Sequence, residues 1–235
     1  MLLDVSAYRE YYFSGYSLVL MLLSLAVTFW AQWNVKSTYA HSASLKTAAG
    51  LTGAQVARRL LDREGLYSVQ IARVKGQMTD HYDPRTETVY LSEGVYDSAS
   101  VAAVGIAAHE TGHAIQHSTE YAPLKLRMAM VPVCNIGSAL AVPLVLMGIL
   151  LAFPALSNLG LLLFSAMVFF QLVTLPVEFN ASRRALAAVE ECRIVDGEEQ
   201  KQTQKMLTAA ALTYVAALAV SLFNLLRLLM AARRR

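Results

Sequence analysis

Three long stretches of this chain carry no Asp, Glu, Lys or Arg, and they decide what it can fold into. Residues 11–35 form a run of 25 uncharged positions, residues 128–177 a run of 50, and residues 206–226 a run of 21. A helix crosses a bilayer with about 20 mostly apolar residues, so the runs hold one, two and one crossings. The pattern excludes a soluble globular enzyme and a disordered tail. A nucleic-acid partner is not expected either, because the formal net charge is only +3 and supplies no basic field. The lipid bilayer is the first partner the sequence implies.

The chain divides accordingly into five stretches: residues 1–35, an N-terminal segment with the first membrane helix; 36–127, a polar domain; 128–177, a membrane hairpin; 178–205, a polar helical segment; and 206–235, a fourth membrane helix with a basic end. The opening MLLDVSAYRE lacks the basic region of a cleaved signal, and no A-x-A site closes the apolar run, so residues 16–33 are expected to stay as a membrane helix. Trp30 and Trp33 at its end suit the interfacial belt. Counting crossings puts residues 34–127 and 178–205 on one side, with 15 of the 20 Lys and Arg. The positive-inside rule makes that side cytoplasmic in a multi-pass protein of the cell membrane. Two cysteines, Cys134 and Cys192, are too few for a disulfide framework.

Within the polar domain, Thr52-Gly-Ala-Gln55 is a capping-box pattern opening a helix over 52–66, with Gly65 closing it. Residues 67–75 and 86–92 alternate as strands, and the Asp83-Pro84 turn between them predicts a β-hairpin. From Ser98 or Ser100 an alanine-rich helix runs to about His117. Phe153 to Asn158 supplies the turn inside the 50-residue run, and Pro132 and Pro143 are tolerable within a membrane helix.

The alanine-rich helix carries His109-Glu110-Thr111-Gly112-His113, an HExxH sequence. Positions i and i+4 share one helix face about one turn apart, so two imidazoles there reach a single Zn²⁺ at ~2.0–2.1 Å. Glu110 lies beside them, placed to take a proton from zinc-activated water. One zinc per chain is expected. A catalytic zinc needs a third protein ligand and an open position. His117 continues the series, but eight residues of helix span ~12 Å, too far for three ligands of one straight helix to close on a metal. The glycine turn that solves this in HExxHxxGxxH is missing, because its Gly position is Gln116 and its last His position is Thr119. His117 is therefore read as an outer or surface residue. Glu178 is the preferred ligand: it is the first charge after the 50-residue run, on the same side as the histidines, and it opens what reads as a new helix. Asp196, in Val195-Asp196-Gly197, is the other candidate. It is similar to the Leu-Asp-Gly element of site-2-type intramembrane proteases, yet it stands among Glu190, Glu191, Glu198, Glu199 and Lys201 and reads as a solvated turn.

HETGHAIQH, LPVEFNASRRAL and TDHYDPRTETVYLS, together with VKSTY, LTGAQVAR, YAPLKLR and ALTYVAALA, resemble the bacterial membrane-bound neutral zinc metallopeptidases of the YugP type. The resemblance runs through nearly the whole chain. The Glu-x-x-Ala pattern at Glu178–Ala181 is also similar to the HtpX and CAAX-protease group, whose glutamate is the third zinc ligand. Carried over, this implies His109, His113 and Glu178 as ligands and Glu110 as base. That group usually has an acid where this chain has Ser182.

The expected fold is thus a mainly α membrane protein: four transmembrane helices and a cytoplasmic α+β zincin-like domain with a small β-hairpin and the HExxH helix. The expected function is a zinc endopeptidase cutting membrane-associated or cytoplasmic-face proteins and peptides. Residues Val89, Tyr90 and Leu91 are expected on an edge strand that pairs with extended substrate, and His81 or Arg183 beside the forming oxyanion. Two other readings stand alongside: a site-2-type protease cutting inside the bilayer, and a non-catalytic membrane adaptor with a structural metal.

Overall fold

The computed structural model describes residues 15–233; residues 1–14 and 234–235 lie outside them. Among the described residues, seven helices and three strands follow in order: α1 Gly15–Ser44, α2 Gly53–Arg63, β1 Gln70–Val74, β2 His81–Asp83, β3 Thr88–Ser92, α3 Glu93–Tyr96, α4 Val101–Ser118, α5 Ala122–Leu150, α6 Pro154–Glu191 and α7 Gly197–Arg233. Four of these, α1, α5, α6 and α7, are long and apolar enough to cross a membrane. The uncharged runs fall largely within them. The chain forms two compact units. One is drawn from residues up to Ala31, Leu126–Leu175 and Thr213 onward; the other is Gln32–Lys125 with Pro176–Leu212.

In the first unit, α5 and α6 form the expected antiparallel hairpin. Pro154 opens α6 at the first helical position, where its missing N–H costs nothing. Small residues let the two helices touch: a Cβ on Gly160 would stand 2.6 Å from the Ala141 carbonyl oxygen. Both Pro132 and Pro143 sit inside a continuous α5. Polar side chains tie helices across this unit, Gln171 Nε2 donating to Ser221 Oγ at 2.9 Å and Arg227 Nε to Ser17 Oγ at 3.3 Å.

The second unit holds the sheet and its own apolar core. Helix α2 begins as the sequence predicts. Thr52 Oγ1 accepts from the Gln55 N–H and the Gln55 side chain accepts from the Thr52 N–H, which satisfies two of the helix's free donors. Its face of Val56, Leu60 and Leu61 packs with Val89 and Leu91 of β3 and with Val104, Ala107 and Ala108 of α4. Ser100 caps α4, its hydroxyl accepting from the Ala103 N–H.

Three expectations about this unit are corrected. The strands near 67–75 and 86–92 exist, but β1 and β3 run parallel, so they are not a hairpin. Alternation reports a strand and its buried face, never its direction. The hairpin is instead β2–β3, paired antiparallel from His81↔Tyr90 to Asp83↔Thr88. Its Asp83-Pro84 turn is held where Asp83 Oδ1 accepts from the Arg85 N–H, a bond that also holds the Asp83 carboxyl below its ordinary value. Second, Glu178 does not open a helix; it lies inside the unbroken 38-residue α6, which passes through Pro176. Third, the polar segment 178–205 is two helix ends. A turn separates α6 from α7, and Asp196 caps the latter: its Oδ1 accepts from the N–H groups of Glu198 and Glu199 while Glu199 Oε2 accepts from its own N–H. Asp196 is the exposed, solvated turn residue the sequence suggested.

Candidate metal centre

The two histidines of α4 and Glu178 of α6 converge. Glu178 Oε2 stands 3.3 Å from His109 Nε2 and 3.6 Å from His113 Nε2, and all three donor atoms lie within 4.8 Å of one another. Two ligands of a tetrahedral zinc at ~2.0–2.1 Å are roughly 3.3 Å apart, so the spacing suits one such ion. The imidazole rings stand edge to face at 84°, with centroids 4.8 Å apart. Their side chains are 16% and 12% exposed, and that of Glu178 only 2%. Such a desolvated carboxylate against two imidazoles calls for a cation.

Helix approach makes this convergence possible. A Cβ at Gly112 would come 2.7 Å from the carbonyl oxygen of Ala181, a backbone atom that cannot swing aside. Gly112 and the buried Ala181 are the contact point of α4 and α6. Each lies within a turn of the ligands on its own helix. The glycine inside HExxH and the alanine of Glu-x-x-Ala thus have a steric reason.

Each imidazole turns its other nitrogen toward a polar neighbour. His109 Nδ1 lies 3.2 Å from Ser182 Oγ, and His113 Nδ1 lies 3.0 Å from Gln116 Oε1. Ser182 therefore stands at His109 in the place where the HtpX-like pattern has an acid. Both Nε2 atoms are left for the metal, the arrangement in which outer partners fix ring orientation. Burial pulls the His113 pKa down, while the carboxylates of Glu178 and Glu110 more than offset it and leave it above the ordinary value. Glu110 is on the same helix, with 9% of its surface exposed.

The other sequence candidates fall elsewhere. His117 is outside the donor group; its Nδ1 is 3.0 Å from the Tyr82 hydroxyl of β2. Burial, with the charges of Glu87 and Asp83, pushes that hydroxyl up to about 12, so it remains protonated at neutral pH. The strand bearing Val89, Tyr90 and Leu91 is not an edge. The sheet order is β1-β3-β2, with β3 in the centre because Val89 and Leu91 are fully buried core residues. Tyr90 faces the opposite side and stacks on His81 at 4.9 Å. His81 is exposed, its Nδ1 beside the Thr79 carbonyl oxygen, and Arg183 is exposed on α6. Neither belongs to the donor group. The sequence alone does not mark Gln116, Asn180 or Gly112 as functional. Gln116 had one signal available, since it lies three residues after His113 and so shares its helix face.

A helical membrane protein with a His/His/Glu site able to hold a metal is the class these observations define. Residues 17–233 match the profile of a family described as "Putative neutral zinc metallopeptidase", and the chain belongs to that family. A relative from Bacillus subtilis (strain 168), named "Putative membrane protease YugP", is 49% identical over 211 residues, covering 90% of this chain and 94% of its own. No solved structure matches the chain.

Proposed function

We propose that the protein is a membrane-embedded zinc endopeptidase that hydrolyses peptide bonds of membrane-associated or cytoplasmic-face proteins. The convergence of His109, His113 and Glu178 beside Glu110 carries this reading. Zinc held by the three ligands would supply Lewis acidity, polarising the scissile carbonyl and acidifying the attacking water. Glu110 accepts the proton of that water and delivers it to the leaving amine as the C–N bond breaks. A structural site has no use for such a base, which favours catalysis over an adaptor role.

Substrate docks in extended form along β2 rather than β3. Among the described residues β2 has a strand neighbour on one side only. It is joined to the active-site helix through Tyr82 and His117, one turn beyond His113. An edge strand packed on the HExxH helix gives main-chain hydrogen bonds to a peptide of any sequence. His109, Glu110, His113 and Glu178 belong to the same compact unit as the sheet, which favours cutting at the membrane surface over cutting within the bilayer. The surplus of Lys and Arg in the segments flanking the site favours the cytoplasmic face.

The test is turnover of a denatured protein such as casein by the full chain purified in detergent. Cleavage that stops on chelation and returns with zinc is expected. Zinc-independent cleavage, or none from fully zinc-loaded protein, would contradict the reading.

A further inference from the structure

Gln116 occupies the glycine position of the three-histidine HExxHxxGxxH motif, and it is completely buried. Its amide touches both halves of the metal centre. The Nε2 end donates to the Val177 carbonyl oxygen at 2.8 Å and to Asn180 Oδ1 at 2.9 Å, while Oε1 faces His113 Nδ1 at 3.0 Å. Val177 and Asn180 flank Glu178 on α6.

Hydrogen-bond chemistry fixes the sense of every link. A backbone carbonyl only accepts, so the amide end at Val177 must be the NH₂. Asn180 Oδ1 also accepts from Arg184 Nε at 2.9 Å, and a guanidinium only donates. Oε1 is thereby forced toward His113, where it needs an N–H. His113 is then the Nδ1–H tautomer, with the lone pair of Nε2 turned toward His109 and Glu178.

We infer that Gln116 is a positioning residue for the metal centre. It holds His113 in its metal-binding tautomer and ties the helix bearing Glu178 to the helix bearing the histidines, with Asn180 and Arg184 setting its orientation. This rests on the zinc-site reading above. Removing an outer partner of a ligating histidine typically lowers metal affinity roughly 10–100-fold.

The experiment measures zinc affinity of the full chain in detergent by chelator competition, with thermal melting of the chelated protein alongside. Gln116→Met keeps the length and loses both polar ends. Gln116→Glu keeps an acceptor for His113 and loses the donor. We expect Gln116→Met to bind zinc about 10–100-fold more weakly, and Gln116→Glu to recover most of the loss, while the metal-free melting points stay close to wild type. Wild-type affinity in Gln116→Met overturns the inference. Equal losses in both variants that track lowered metal-free melting do so too, since they mark a packing residue. If the wild type itself binds no zinc, the metal site fails and this inference with it; normal wild-type binding with an unaffected Gln116→Met variant sinks only the role of Gln116.

Discussion

The atoms that matter most here are few, and they differ in how far the sequence announces them. His109, Glu110 and His113 are legible because one helix supplies all three at a spacing with a geometric meaning. Glu178 is legible through an interruption: an acid after 50 uncharged positions is conspicuous, and its neighbours carry a family pattern. Gln116 and Ser182 are fainter: helix spacing or family pattern marks their positions, but a neutral amide or hydroxyl on a helix has no chemistry until a partner from another helix is placed beside it. Replacing Glu178 by Ala removes a ligand and leaves two imidazoles. Zinc affinity is expected to fall by more than the roughly 10–100-fold typical of losing an outer partner, as read by chelator competition, and cleavage should vanish with it.

At the level of elements, capped helix starts are legible in the sequence and strand relations are not. Capping residues act within four positions, so Thr52 and Ser100 mark their helices locally. Strand direction depends on a crossover of a dozen or more residues, and nothing between β1 and β3 declares it; the three-residue β2 was too short to signal itself. Two predictions separate scaffold from site. Thr52→Ala should lower stability by about 1 kcal/mol in denaturant melts and leave zinc affinity unchanged, because the capping box of α2 makes no contact with the ligands. Gly112→Ala should act on both. Its Cβ would meet the Ala181 carbonyl at 2.7 Å, so α4 and α6 must separate, at about 1–3 kcal/mol. That shift carries Glu178 away from the histidines, and zinc affinity should fall together with the melting temperature.

For the molecule as a whole, the uncharged runs map onto the four long apolar helices, because a helix needs about 20 mostly apolar residues to cross a bilayer. The boundaries between membrane and polar parts were less visible, since α1, α6 and α7 run on as single helices past the ends of those runs. The proposed four-crossing topology predicts a C-terminus on the outer face of the membrane. An epitope tag at the C-terminus should therefore be digested by protease added to intact cells, whereas protection would show that the last helix does not cross. The central claim, that a zinc site with Glu110 as base hydrolyses peptide bonds, meets its most direct test in one paired measurement on purified Glu110→Gln and wild-type protein: bound zinc and casein cleavage rate in the same samples. Both should hold one zinc per chain, with cleavage by Glu110→Gln lower by about 10²–10⁴-fold. Undiminished cleavage by the zinc-loaded variant would contradict it.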